Sequence, residues 1–307
     1  MSGGNLTRRA LLARSGVAAG AVVGTAGCSS LFGSDSDDTT VFTQWLPAPA
    51  ALNNADHYRF DYYDVATLAA NRDSLGGEPT VFEQTWQPVG LGWADATAVV
   101  TVDSVDVVTG EFDREAAVSD LRGEGYDRAG EYKGYVRYRN PETGRVFAVT
   151  DGTMLVSAVD RYAPDAVDPS DRLQTVVDAR TGDVDRYAEA SEDMGALVEA
   201  LGAGTLVRGT AMDDPDAAAA RSGRFENLVA EGARSVLDGG TVEETWVYLY
   251  DRPRDVDTAT LERYVEENDD RSGGVDAQFA AVEDISYTQE GRKGIITGTR
   301  DAAEYYD

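Results

Sequence analysis

One cysteine, one histidine and two lysines are spread over 307 residues, and each scarcity removes a class of chemistry. The lone cysteine, Cys28, cannot close an intramolecular disulfide, so no covalent framework holds the fold. The lone histidine, His57, is the single candidate base for any Ser-His-Asp or Cys-His arrangement. Its neighbours on the same strand face are Arg59 and Asp61, which reads as a solvent-facing histidine. One His and one Cys cannot supply the nitrogen and sulfur ligands of a zinc site, so neither a metal nor a cofactor is expected. The only lysines are Lys133 and Lys293, and neither stands in a Gly-Lys-Ser/Thr phosphate loop. A Gly-x-Ser-x-Gly nucleophile elbow is absent. Gly202-Ala203-Gly204 has Val207 where a dinucleotide fingerprint needs its third glycine. No apolar run reaches the roughly 20 residues that a comfortable membrane helix requires.

Acids are abundant. Asp and Glu number 55 against 27 Lys and Arg, a formal net charge of −28. That balance argues against nucleic acid and an anionic membrane surface as partners. The acids run through the whole chain instead of forming one block, which fits solvation in concentrated salt, where the Debye length falls to about 3 Å near 1 M. Among so many carboxylates no pair can be singled out for glycoside chemistry by spacing. Asn268-Asp269-Asp270-Arg271-Ser272-Gly273 places glycine sixth, as in a calcium loop, but Phe279 falls twelfth, where a bidentate Glu is required. It reads as a helix exit loop. Trp45, Trp86, Trp93 and Trp246 could line a sugar or peptide groove, but packing within the core is the stronger expectation for them.

The first 28 residues carry the most specific signal. Arg8 and Arg9 stand side by side ahead of a weak apolar run at residues 16–25, and no Asp or Glu occurs before Asp35. Basic start, short apolar run and small residues before a break are the parts of an export signal. Paired arginines mark the twin-arginine route. Thr25-Ala26-Gly27-Cys28 resembles a lipobox, in which the cysteine sulfur takes a lipid and becomes the new N-terminus. With the acidity and the lack of lysine, the chain resembles a haloarchaeal twin-arginine-exported lipoprotein. That resemblance implies lipidation of Cys28, export through Arg8 and Arg9, and a place on the outer face of the cell membrane. Lipid contributes about 0.8 kcal/mol per buried CH₂, and two chains anchor stably where one does not.

Beyond the leader, four segments are expected: an export signal at residues 1–27, a lipidated flexible tether at 28–40, a larger α+β domain at 41–212 and a smaller one at 213–307. Two prolines, Pro47 and Pro49, predict an extended segment over 41–52. Residues 57–63 alternate, with Tyr58, Phe60 and Tyr62 on one face, and predict a half-buried strand. Asp64, Asp113, Asp168, Ser191 and Asp257 are positioned to cap helices. Residues 98–108 read as one strand, and 132–139, 145–150 and 153–159 as a meander turning at Asp151-Gly152. The last part reads β-β-α-β-β, with hairpins about Asp238-Gly239-Gly240 and Glu290-Gly291. The expected class is α+β: antiparallel hairpins and a meander with packed helices, plus the smaller C-terminal module.

A specific anchor without convergent chemistry points to a lipid-anchored extracytoplasmic protein with a non-catalytic binding or envelope role. Its partners would be the membrane, through Cys28, and the export machinery. Two alternatives are a carboxylate- or divalent-cation-dependent extracellular hydrolase and a transporter-associated solute-binding lipoprotein. The hairpins speak against the latter, whose two lobes usually repeat βαβ units.

Overall fold

Among the described residues, twelve strands form one fully antiparallel sheet in the order β11-β12-β10-β9-β8-β1-β2-β3-β7-β6-β5-β4. The structure, a computed structural model, describes residues 41–52, 57–75, 86–158, 167–212, 227–267, 279 and 281–304. The strands are β1 (Arg59–Asp64), β2 (Ala96–Val102), β3 (Val105–Gly110), β4 (Asp127–Tyr132), β5 (Tyr135–Arg139) and β6 (Val146–Thr150). They continue with β7 (Thr153–Ser157), β8 (Leu206–Ala211), β9 (Leu228–Asp238), β10 (Thr241–Tyr250), β11 (Glu283–Glu290) and β12 (Lys293–Asp301). The helices are α1 (Val65–Ala70), α2 (Arg114–Gly123), α3 (Pro169–Thr181), α4 (Tyr187–Ala190), α5 (Glu192–Leu201) and α6 (Thr258–Glu267). The fold is α+β, as the alternation of hairpins and single helices predicts.

Side-chain alternation splits the core between the two faces of the sheet. Val100, Val102, Val105, Val107, Val146, Ala148 and Leu155 pack on the first face with α3 to α5. Val99, Val108, Phe147, Val149, Met154 and Val156 pack on the second face with Ala117 and Leu121 of α2. Farther along the second face, Trp246, Tyr248, Tyr250 and Ile296 meet Leu261 and Val265 of α6. The central strands are thus buried on both sides, which is why β2, β3 and β6 are so rich in valine.

Caps fall where the sequence puts them. Asp64 accepts a hydrogen bond from the Thr67 amide, Asp113 from Ala116, Asp168 from Ser170 and Ser191 from Met194. Each satisfies an orphan amide of the first helical turn, an effect of about 1 kcal/mol.

Four expectations need correction. Residues 41–52 are not extended: they form two 3-10 turns, Val41–Trp45 and Pro49–Leu52, which bury Phe42, Trp45 and Leu52. Pro47 and Pro49 exclude only the α-helix interior, and a short turn with proline in its first position avoids that exclusion. Residues 98–108 are not one strand. The chain reverses at Asp103-Ser104, with Asp103 at φ 54°, so Val102 pairs with Val105 and the valine alternation resumes across the turn. The segment 132–139 begins with the turn Lys133-Gly134, both at positive φ, and β4 precedes it. Strand β4 reads Asp-Arg-Ala-Gly-Glu-Tyr, is mostly exposed and lies at the sheet edge, so it carries no hydrophobic signature.

The fourth concerns the expected division at 212/213, which is not a break in the sheet. Strand β8 pairs with β9 over six residues, and Val229, Ala230, Val247 and Leu249 join the first-face core. Gly209 and Gly232 sit opposite each other there. A Cβ on Gly209 would lie 2.9 Å from Leu197 Cδ2, and one on Gly232 would lie 2.7 Å from Leu201 Cδ1. Helix α5 therefore lies directly on the β8–β9 pair, spanning the expected boundary. Residues Thr39–Asp307 form one compact unit. The order β-β-α-β-β does hold for β9, β10, α6, β11 and β12.

The element order also recurs. β1-β2-β3 is followed by α2 and a return to β7 beside β3; β8-β9-β10 is followed by α6 and a return to β12 beside β10. The halves meet antiparallel at β1 and β8, with Asp61 opposite Arg208. The recurrence is one of topology.

Candidate functional site

Two places on the second face of the sheet gather charged side chains. The first is a groove of about 580 Å³ between α2 and the β4–β5 hairpin, a size within the range of small-molecule sites. Arg114, Glu115, Val118 and Arg122 line it from the helix, and Arg128, Glu131, Val136 and Tyr138 from the strands. Arg114, Val118 and Arg122 follow the i, i+4, i+8 spacing that aligns side chains along one helix face.

Both walls are held from outside the groove. Asp113 caps α2, and the Arg114 amide donates to Asp151 Oδ1 at 3.2 Å, tying the helix start to the β6–β7 turn. Ala117 and Leu121 bury the adjoining face of the helix. The hairpin is fixed from the first face. Lys133 Nζ in its turn meets Asp178 and, at 2.5 Å, Asp183, both beside the C-terminal end of α3. These two carboxylates hold the Lys133 ammonium well above its ordinary range. Arg139 Nη1 reaches Asp168 Oδ2 at 2.8 Å at the other end of α3.

The charges within the groove are only partly spent. Arg128 and Glu131 are 3.6 Å apart and more than half exposed, a pair that contributes about 0–1 kcal/mol. The Arg122 guanidinium lies 5.6 Å from the Tyr138 ring centroid, which occupies its face and leaves its edge donors unspent. Among the described residues, the Arg114 and Arg122 side chains make no ion pair. That is notable in a chain with twice as many acids as bases. Sequence reasoning missed these residues, although one signal was present: residues 114–145 hold seven basic side chains against six acidic ones.

The second place is a polar stripe where the two halves meet. Arg59, Asp61 and Tyr63 of β1 share a face with Thr101 of β2, Asp106 of β3 and Arg208 of β8, as the pairing requires. Most of this stripe is internally neutralised. Arg59 Nε and Nη2 both donate to Asp61, at 3.0 and 2.7 Å. Thr101 Oγ1 donates to Asp106 Oδ1 at 2.7 Å. Burial nevertheless pushes the Asp106 carboxyl above the usual carboxylate range, against the opposing effects of Thr101 and Arg145. Farther along the same face, Arg300 Nε meets Glu244 Oε2 at 2.5 Å, and burial raises Glu244 as well.

The residues singled out from sequence are scattered. Arg8, Arg9 and Cys28 lie outside the described residues, as do residues 268–277 of the calcium-like loop. His57 is exposed. The tryptophans do not share a groove. Trp45, Trp86 and Trp246 are 5%, 0% and 2% exposed and belong to three different core clusters, and Trp93 is half-buried. Among the described residues, no three His, Cys, Asp or Glu side chains are grouped to hold a metal ion, and no helix is long and apolar enough to cross a membrane.

No family model matches the chain, and no curated protein matches it. The solved structures do contain a similar trace. Crystal form III of TP0453 overlaps 84% of this chain and 94% of its own at 11% identity, with a TM-score of 0.49. Form IV overlaps 86% and 96% at 11% identity, with a TM-score of 0.49. Form I gives 83% and 93% at 12% identity, with a TM-score of 0.45. No residue role is carried over from them.

Proposed function

We propose that this protein is a lipid-anchored, extracytoplasmic binding protein without a catalytic centre. Arg8 and Arg9 would direct export, lipid on Cys28 would fix the mature chain to the membrane, and the acidic surface would keep it solvated in concentrated salt. The observation that supports binding is the α2–β4–β5 groove, in which Val118, Val136 and Tyr138 stand beside Arg114 and Arg122, two arginines without an acid partner among the described residues. A non-catalytic role agrees with the rest: the polar stripe is internally paired, and the single histidine is exposed. Replacing Cys28 with Ser and fractionating the cells tests the anchor. The variant is expected in the medium, and a variant that stays with the membrane would overturn the anchored reading.

One observation favours a second reading, the carboxylate hydrolase. Asp106, raised by burial, lies on the same cross-strand row as the arginine-held Asp61, with Thr101 between them. Carboxyl groups held in different environments are the raw material of general acid chemistry. A hydrolase screen in molar salt, wild type beside Asp106→Asn, tests it: activity lost in the variant would favour it, and no turnover in the wild type would remove it.

A further inference from the structure

We infer that the α2–β4–β5 groove takes an elongated dianion: two carboxylates, or equivalent anionic groups, joined by an apolar middle. This deepens the binding reading and rests on it. Arg114 and Arg122 lie eight residues apart on one face of α2, about 12 Å along the axis at 1.5 Å per residue. Val118 stands between them, and Val136 and Tyr138 face it from β5. The helix wall therefore reads cation, apolar, cation along its length, and Arg128 and Glu131, paired with each other, complete the strand wall. A compact anion could engage one end only, and an apolar chain without charges would leave both guanidiniums unspent.

In dilute buffer a chain of net charge −28 is a poor host for an anion. In molar salt it is not. The Debye length there is about 3 Å, so repulsion from distant acids is screened while contact pairs survive. Selection then depends on whether each anionic group reaches its own arginine, which makes ligand length the discriminating variable. Glu115 and Glu131 reinforce this. They disfavour any negative charge on the ligand beyond the two that the arginines take. Guanidinium also suits carboxylate better than ammonium does, because its fork donates two parallel hydrogen bonds.

The test is a ladder of α,ω-dicarboxylates from succinate to dodecanedioate, titrated by calorimetry into the full-length protein in molar potassium chloride. Octanoate serves as the single-charge control. Affinity is expected to climb with chain length until both carboxylates reach the two arginines. The best diacid should exceed octanoate at least tenfold. Arg114→Gln or Arg122→Gln should each reduce that diacid to the level of the monoacid, while Arg263→Gln on α6 should leave it unchanged. Arg122 and Arg263 are exposed and Arg114 half-buried, and melting curves of the variants confirm that they fold. Equal binding of diacid and monoacid, indifference to Arg114→Gln and Arg122→Gln, or no binding by any diacid would each overturn the inference. Release of the Cys28→Ser protein is a separate readout, so failure at the groove and failure of the anchored reading are distinguishable.

Discussion

Arg300→Met should destabilise the protein by about 3–5 kcal/mol at neutral pH, the cost of leaving one partner of a buried ion pair without its counter-charge. The geometry sets that magnitude. Glu244 and Arg300 are only 8% and 14% exposed at the side chain, and Nε to Oε2 is 2.5 Å. Burial already raises the Glu244 carboxyl, and Arg300 is the first of the influences opposing that rise. Without Arg300 only the more distant Arg208 charge and the Ser235 hydrogen bond still oppose it. The sign follows from linkage. A carboxyl whose folded pKa is raised penalises the native state above its unfolded value, and the penalty fades as pH falls and the native carboxyl protonates. The loss should therefore be largest near neutrality and shrink at acid pH. At about 2–4 °C per kcal/mol for a chain of this size, the melting temperature should drop by about 10 °C. Urea denaturation in molar potassium chloride is the assay, since urea leaves ionic strength unchanged and salt screens a buried pair far less than a surface one. Adding Glu244→Gln to Arg300→Met should recover most of the loss. A loss under about 1 kcal/mol, or one that does not vary with pH, would refute the reasoning.

Two further outcomes follow from the same electrostatics. Asp106→Asn should raise the melting temperature at neutral pH, because the penalty of a buried ionised carboxyl disappears while the amide oxygen still accepts from Thr101. Linkage gives the window: the advantage is full above the folded pKa and vanishes below the ordinary carboxylate range, so melting curves at pH 7 and pH 3 should differ in their ranking of the two proteins. Dilution from molar to low salt should unfold the protein, since a net charge of −28 repels itself once unscreened. Circular dichroism across a potassium chloride series reads this directly, and an unchanged melting temperature would remove salt adaptation as the reason for the acidity.

Local structure was largely legible because its causes are local. Asp113, Asp168 and Ser191 cap their helices through amides two or three residues away. Gly182 ends α3 in the left-handed region, and Gly152 at φ 69° makes the β6–β7 turn, conformations that cost glycine nothing. The Asp103-Ser104 reversal was hidden, because valines crowd both sides of it and Asp takes positive φ without announcing it. Strand β4 was hidden for the opposite reason: an exposed edge strand has no apolar face to display.

Composition and spacing alone determined the class, the caps, most turns and the acid-rich surface, for each depends on neighbours within a few residues or on totals. Only the tertiary structure decided that β8 and β9 continue a single sheet, since Gly209 and Gly232 gain their meaning from α5 lying against both. It also decided that Arg114 and Arg122 share a groove. Their spacing on α2 was readable, but the opposite wall comes from a hairpin held in place by Lys133 and Arg139 on the far face of the sheet. A helix face becomes a site only when something stands across from it, and pairing between distant strands is what supplies that.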